Sequence, residues 1–94
     1  MSVSAVIGKE YSFQGANQST FRIARVDISG LSLGPNVIPH PVRTSVGGPI
    51  NIQREEVLLT SAIQVHQTQP GDASNLYYTV DAGPGTTISV GVWV

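Results

Sequence analysis

The chain has 94 residues, no cysteine, and five Lys+Arg against six Asp+Glu, for a formal net charge of −1. That length supports one domain, residues 1–94, and the missing cysteines exclude disulfides and thiolate metal sites as its supports. Charged residues are 12% of the chain, about half the usual share; with no basic cluster among them, nucleic acid is not an expected partner.

No apolar run approaches the roughly 18–20 residues that span a bilayer, and Met1–Gly8 lacks the basic start and long apolar stretch of a secretory signal. The expectation is therefore a domain with no membrane partner. Serine, threonine, glutamine and asparagine fill the polar positions, and a surface so poor in charge offers little resistance to self-association.

Strong helix formers are sparse, while Val, Ile, Thr, Ser and Gly dominate, with Gly and Pro punctuating the chain. Ser2–Ile7 and Tyr11–Phe13 read as short strands. Thr20–Ser29 carries Phe21 and Ile23 in one phase, then Val26 and Ile28 in the other, so a β-bulge is expected near Arg25. Asn36–Val42 is extended, but Pro39 and Pro41 lack amide donors and assign it to a sheet edge. Gly47-Gly48-Pro49 turns the chain into Ile50–Arg54. Over Glu56–His66, the residues Val57, Leu59, Ser61, Ile63 and Val65 share one face of a single strand. Pro70-Gly71-Asp72 marks a turn. Asn75–Ala82 then places Leu76, Tyr78, Val80 and Ala82 together, and Thr86–Val94 places Ile88, Val90, Val92 and Val94 together. The short Gly83-Pro84-Gly85 loop has hairpin length, so the last three strands are expected to form an antiparallel meander.

About seven short strands spaced by turns predict an all-β fold, a two-layer antiparallel β-sandwich or a small barrel. The expected core is Val57, Leu59, Ile63, Val65, Leu76, Tyr78, Val80, Ile88, Val90 and Val92.

Catalytic chemistry finds little footing. His40 and His66 show no HxH or HxxxH spacing, and hydrogen-bonding roles near strand ends are expected of them. There is no Gly-x-Ser-x-Gly elbow for a nucleophile. Glu55-Glu56 would point to opposite faces of a strand and reads as a solvated strand start. Asp72 and Asp81 lack an Asp-rich calcium loop, and Gly83-Pro84-Gly85 lacks the lysine and helix of a phosphate loop. The chain is expected not to be an enzyme and to hold no cofactor or metal.

Tyr77 and Trp93 fall opposite the aliphatic stripes of their strands. If those strands pair, the two rings form an outward aromatic patch, the mark of a protein interface or a sugar-stacking platform. A loop or the N-terminal segment covering them is the other reading.

The stretch Ile28-Ser29-Gly30-Leu31-Ser32-Leu33-Gly34-Pro35-Asn36-Val37-Ile38-Pro39-His40 resembles a segment of small β-sandwich structural proteins of tailed bacteriophages. Asp72-x-x-Asn75-x-Tyr77-x-Thr79-Val80, followed by Thr87-x-Ser89-Val90-x-Val92-Trp93, is similar to their closing hairpin. Those proteins usually read His-Gly where this chain has His40-Pro41. The resemblance spans the chain from Ile28 onward. It implies a virion structural protein, such as a capsid cement or decoration protein, localised in the virion. Its implied partners are other virion proteins and copies of itself, as a homo-oligomer, with a trimer the state the resemblance implies. A carbohydrate- or receptor-binding module of a tail fibre is the alternative. The strand periodicity carries its own test: far-UV circular dichroism should give a β spectrum, with no pair of helical minima.

Overall fold

The computed structural model describes residues 3–14, 20–44 and 46–94, and among them it is all-β. Seven strands follow one another: β1 (Ser4–Gln14), β2 (Thr20–Ser29), β3 (Gly34–Pro39), β4 (Arg54–Thr60), β5 (Gln64–Gln67), β6 (Asn75–Ala82) and β7 (Ile88–Trp93). They form two antiparallel sheets, one ordered β1-β2-β7-β4 and the other β3-β6-β5. This is the expected sandwich rather than a closed barrel.

Period-2 patterning explains the core. Ala24, Val26 and Ile28 of β2 and Ile88, Val90 and Val92 of β7 face inward from the larger sheet. Ile38 of β3 and Leu76, Tyr78 and Val80 of β6 meet them from the smaller one. Leu31, Val42, Ile50 and Ile63, from the connections, close the ends of this layer. Pro35 and Pro39 sit on β3, which is an edge strand, where a missing amide donor costs no ladder bond.

Several expectations from the sequence need correction. The strands expected over Ser2–Ile7 and Tyr11–Phe13 are one strand, β1, interrupted by a bulge at Gly8; Ser2 lies outside the described residues. The bulge expected in β2 at Arg25 is instead the Gly8 bulge of the neighbouring strand β1, opposite Val26 and Arg25. β2 itself keeps a continuous register with β7 and buries Ala24 rather than Ile23. Residues 50–53 form no strand.

Glu56–His66 is two strands, since the chain bends at Ser61-Ala62, with Ala62 at φ 55°, and moves from the larger sheet to the smaller. A bulge at Leu58 also shifts the register between Val57 and Leu59, so Leu59 turns to the outer face and is 67% exposed. Val57 and Val65 are only half-buried, against the core's margin. The other seven expected core residues are buried.

The meander is also overturned. β5 and β6 pair, but β6 and β7 lie in different sheets, so Gly83-Pro84-Gly85 is a crossing between layers. It passes against the other crossing: a Cβ on Gly85 would overlap the Ser61 carbonyl, and one on Gly83 would overlap that of Ala62. Gly83 also adopts φ +109°, a conformation L side chains avoid. The Ser61 amide donates to the Thr87 carbonyl at 3.2 Å and ties the two corners together.

Truncating Ile88 to alanine should destabilise the fold by about 2–5 kcal/mol, whereas Leu59→Ala should stay within about 0.5 kcal/mol. Gly85→Ala, whose Cβ would overlap the Ser61 backbone, should cost about 3 kcal/mol or more, at or above the top of the overpacking range. Urea unfolding of the three variants measures all of these.

Candidate functional site

The register of the larger sheet fixes what its outer face presents. Rows that bury Ala24–Val92 and Val26–Val90 alternate with rows that point outward. One outward row runs Tyr11–Ile23–Trp93–Arg54 across all four strands. A second runs Val6–Asp27–Ser89–Leu59. Between them lie Lys9, Arg25, Gly91 and Glu56. Tyr11 and Trp93 stand on strands separated by one other, about 9.6 Å apart at the usual strand spacing.

Trp93 is half-buried by its own sheet. Its six-membered ring reaches over Gly91, where a Cβ would lie 3.0 Å from Cζ3, and Leu58 borders the same space. The Arg54 guanidinium sits 4.9 Å from the ring centroid, and the Lys9 ammonium 5.3 Å from that of Tyr11, both within cation–π reach. Glycine at 91 thus gives the indole a place to lie on the sheet.

The bulge at Leu58 adds apolar surface to this face. Val6 (56% exposed), Tyr11 (45%), Leu58 (45%) and Leu59 (67%) all stand there, half of the large hydrophobic residues exposed in the described chain. Between Val6 and Leu59 the face sinks into a groove of about 420 Å³, with Asp27, Ser61, Thr87 and Ser89 among its lining. The Asp27 carboxylate accepts from Ser89 Oγ at 2.8 Å and from Arg25 Nε and Nη2 at 3.1 and 3.3 Å. This fork lies over Gly8, where any Cβ would overlap it, so the glycine of the β1 bulge makes room for the ion pair.

Tyr77 is not part of this face. It is half-buried on β6, opposite exposed Val37, on the outer side of the smaller sheet. The sandwich therefore separates Tyr77 and Trp93 onto its two outer faces, and the joint aromatic patch does not form. The Tyr77 hydroxyl donates to Asp72 Oδ2, while Asp72 Oδ1 accepts the amides of Ser74 (2.9 Å) and Asn75 (2.7 Å). His66 Nδ1 and Asp81 Oδ2 are 2.7 Å apart on the same side of the molecule.

His40 is 3% exposed and plays the expected hydrogen-bonding role. Its Nδ1 accepts the Val42 amide at 3.3 Å, so Nε2 carries the proton donated to the Asp72 carbonyl at 2.8 Å. Among the described residues no three His, Asp or Glu side chains gather as a metal site.

Glu55 departs from its expected role as a solvated strand start. It points between the sheets, where its Oε1 accepts the Tyr78 hydroxyl at 2.6 Å and its Oε2 accepts Gln67 Nε2 and the Gly71 amide, both at 2.9 Å. Burial first, and then Glu55, push the Tyr78 phenol well above its ordinary range. The signal was present in the sequence: Glu55 lies two residues before Val57, in phase with the inward face.

Comparison with known proteins finds no matching family model, no similar curated protein and no similar solved structure.

The Asp72 carboxyl is held below its ordinary value of 3.8 by the Tyr77 hydroxyl first, then by the two amides. A lowered folded value means that this stabilisation is fully present above the unfolded pKa and disappears as pH falls through the folded one. Stability should thus decline on acidification below about pH 4, and Asp72→Asn should flatten that part of the profile, as read from melting temperature against pH.

Proposed function

We propose that this domain is a non-catalytic structural subunit that works by surface contact, docking through the outer face of its larger sheet onto other proteins of an assembly. The observation that carries this reading is that Tyr11, Ile23, Trp93, Leu58, Leu59 and Val6 share one outer face, laid across four strands with charged side chains between them. Exposed apolar residues grouped this way, with charges interspersed, are characteristic of protein interfaces. Trp93 beneath Arg54 supplies the aromatic and arginine pairing that concentrates binding energy at such surfaces.

The resemblance of Ile28–His40 and of the later strands to phage β-sandwich proteins supports a virion as the assembly, with the chain as a capsid cement or decoration protein acting as a homo-oligomer, trimeric by the same resemblance. A second reading, a carbohydrate-binding module, draws on the hydroxyl-lined groove beside Asp27. Arg54 lying over the Trp93 ring counts against it, because a sugar would have to displace the guanidinium to stack there.

Fractionating the native source on a density gradient should place the chain with a particle at fixed stoichiometry. Leu59→Glu, on the face, should release it to the soluble fraction. Val46→Glu, at a site 92% exposed and off the sheet, should not. Both variants should melt as the parent does. Recovery only as free protein would reject the reading, and specific binding on a glycan array, lost in Leu59→Glu, would favour the second one.

A further inference from the structure

The two outer faces differ in charge. The larger sheet's outer face carries Lys9, Arg25 and Arg54 against Asp27 and Glu56. The smaller sheet's outer face carries Asp81, and Asp72 at its margin through Tyr77, with no lysine or arginine. The remaining arginines are engaged elsewhere: Arg22 with Glu10 and the Arg43 carbonyl, and Arg43 with the carbonyls of His40 and Val42. The larger face thus nets one positive charge, with Lys9 standing beside the Arg25–Asp27 and Arg54–Glu56 pairs, while the smaller face carries Asp81, bridged to His66, and Asp72.

Apolar groups follow the same division, with the Trp93 row on the first face and Tyr77 beside exposed Val37 on the second.

We infer that the cationic outer face of the larger sheet receives the acidic outer face of the smaller sheet of a second copy, so that copies associate head to tail. This rests on the docking role proposed for the larger sheet and names its occupant. The same surface cannot serve both partners of such a pair, so the contact is heterologous and generates a ring or an open stack rather than a two-fold dimer.

Its strength is bounded by size. Four strands about 4.8 Å apart and six paired residues deep project on the order of 400 Å², short of the roughly 800 Å² per partner of a standard interface. One contact is therefore weak and salt-sensitive, and it gains by repetition along the assembly.

Sedimentation velocity of the intact chain, at up to about 1 mM where contacts of sub-standard size register, should show mass rising with concentration. The rise should be suppressed in 1 M salt, where the screening length is about 3 Å. Lys9→Glu and Asp81→Lys, both exposed, should each weaken association about tenfold by placing like charges together. An equimolar mixture of the two variants should restore it, because each altered face then meets its complement. Matching melting temperatures establish that both variants fold.

A chain that stays monomeric throughout overturns the inference, as does a dimer indifferent to Asp81→Lys, which would be two-fold through the larger sheet alone. A monomer that still joins its particle through Leu59 removes the stacking but keeps the docking face. A chain that stacks without entering any particle does the reverse.

Discussion

Two backbone corners set the strand order on which this molecule's surfaces depend. At Ser61-Ala62 and at Gly83–Gly85 the chain leaves one sheet for the other, and the glycines of the second crossing lie directly against the carbonyls of the first. Only glycine permits that approach, since a Cβ at 83 or 85 would overlap a carbonyl of the opposing corner. Carried across in this way, β7 cannot pair with β6 and inserts between β2 and β4. It becomes a central strand, with Val90 and Val92 fully buried and Trp93 delivered to the outer face beside Ile23. Had the same three residues made a hairpin, Trp93 and Tyr77 would have shared one surface.

Glu55 joins the layers that the corners separate. Its carboxylate, on a strand of one sheet, takes the Tyr78 hydroxyl from the centre of the other and the Gly71 amide from the loop that follows β5. A hydrogen bond to a charged group contributes about 1.5–3 kcal/mol net, and leaving a buried partner unsatisfied costs about 1–3 kcal/mol. The arrangement therefore both adds stability and penalises alternatives. His40, through the Asp72 carbonyl, and Asp72, through the amides of Ser74 and Asn75, hold the other side of the same loop. Tyr77 is consequently fixed on its face by a loop anchored to both sheets.

How far the sequence foretold this depended on the range of the interaction involved. Ile88, Val90 and Val92 alternate with polar or small residues, and burial on one side of a sheet is all that alternation encodes, so their place in the core was legible. Pro39 named an edge for a local reason as well, the missing amide, although the strand runs Gly34–Pro39 and leaves Pro41, the other proline of that reading, beyond its end. Leu59 shows the limit. A continuous alternation across Glu56–His66 was broken by a bulge at Leu58 and a bend at Ser61-Ala62, neither of which carries the glycine or proline that usually announces such a break. Gly83-Pro84-Gly85 failed differently, because a tight turn and a close crossing of two backbones both call for glycine. What separates them is a contact with Ser61-Ala62, about twenty residues away, that no local pattern contains. The outer face of the larger sheet was hidden by the same cause: Tyr11, Ile23, Trp93 and Leu59 come from four strands whose adjacency is a matter of topology.

The edges of the two sheets give a reason why contact should fall on faces. β3 is blunted by two prolines, and β5 is only four residues long. β4 is bulged at Leu58, and β1 is bulged at Gly8 and continues directly into Lys9 and Glu10. Each of these is a device that discourages a sheet from adding strands of another chain. The chain thus spends prolines, bulges and several of its few charges on guarding its edges, while it leaves Val6, Tyr11, Leu58 and Leu59 exposed across one face. Indiscriminate pairing through unpaired backbone would compete with any ordered assembly of the same subunits. A sandwich whose edges resist pairing, and whose two faces differ in charge, can associate through side chains alone, where register and partner are specified by the residues that meet.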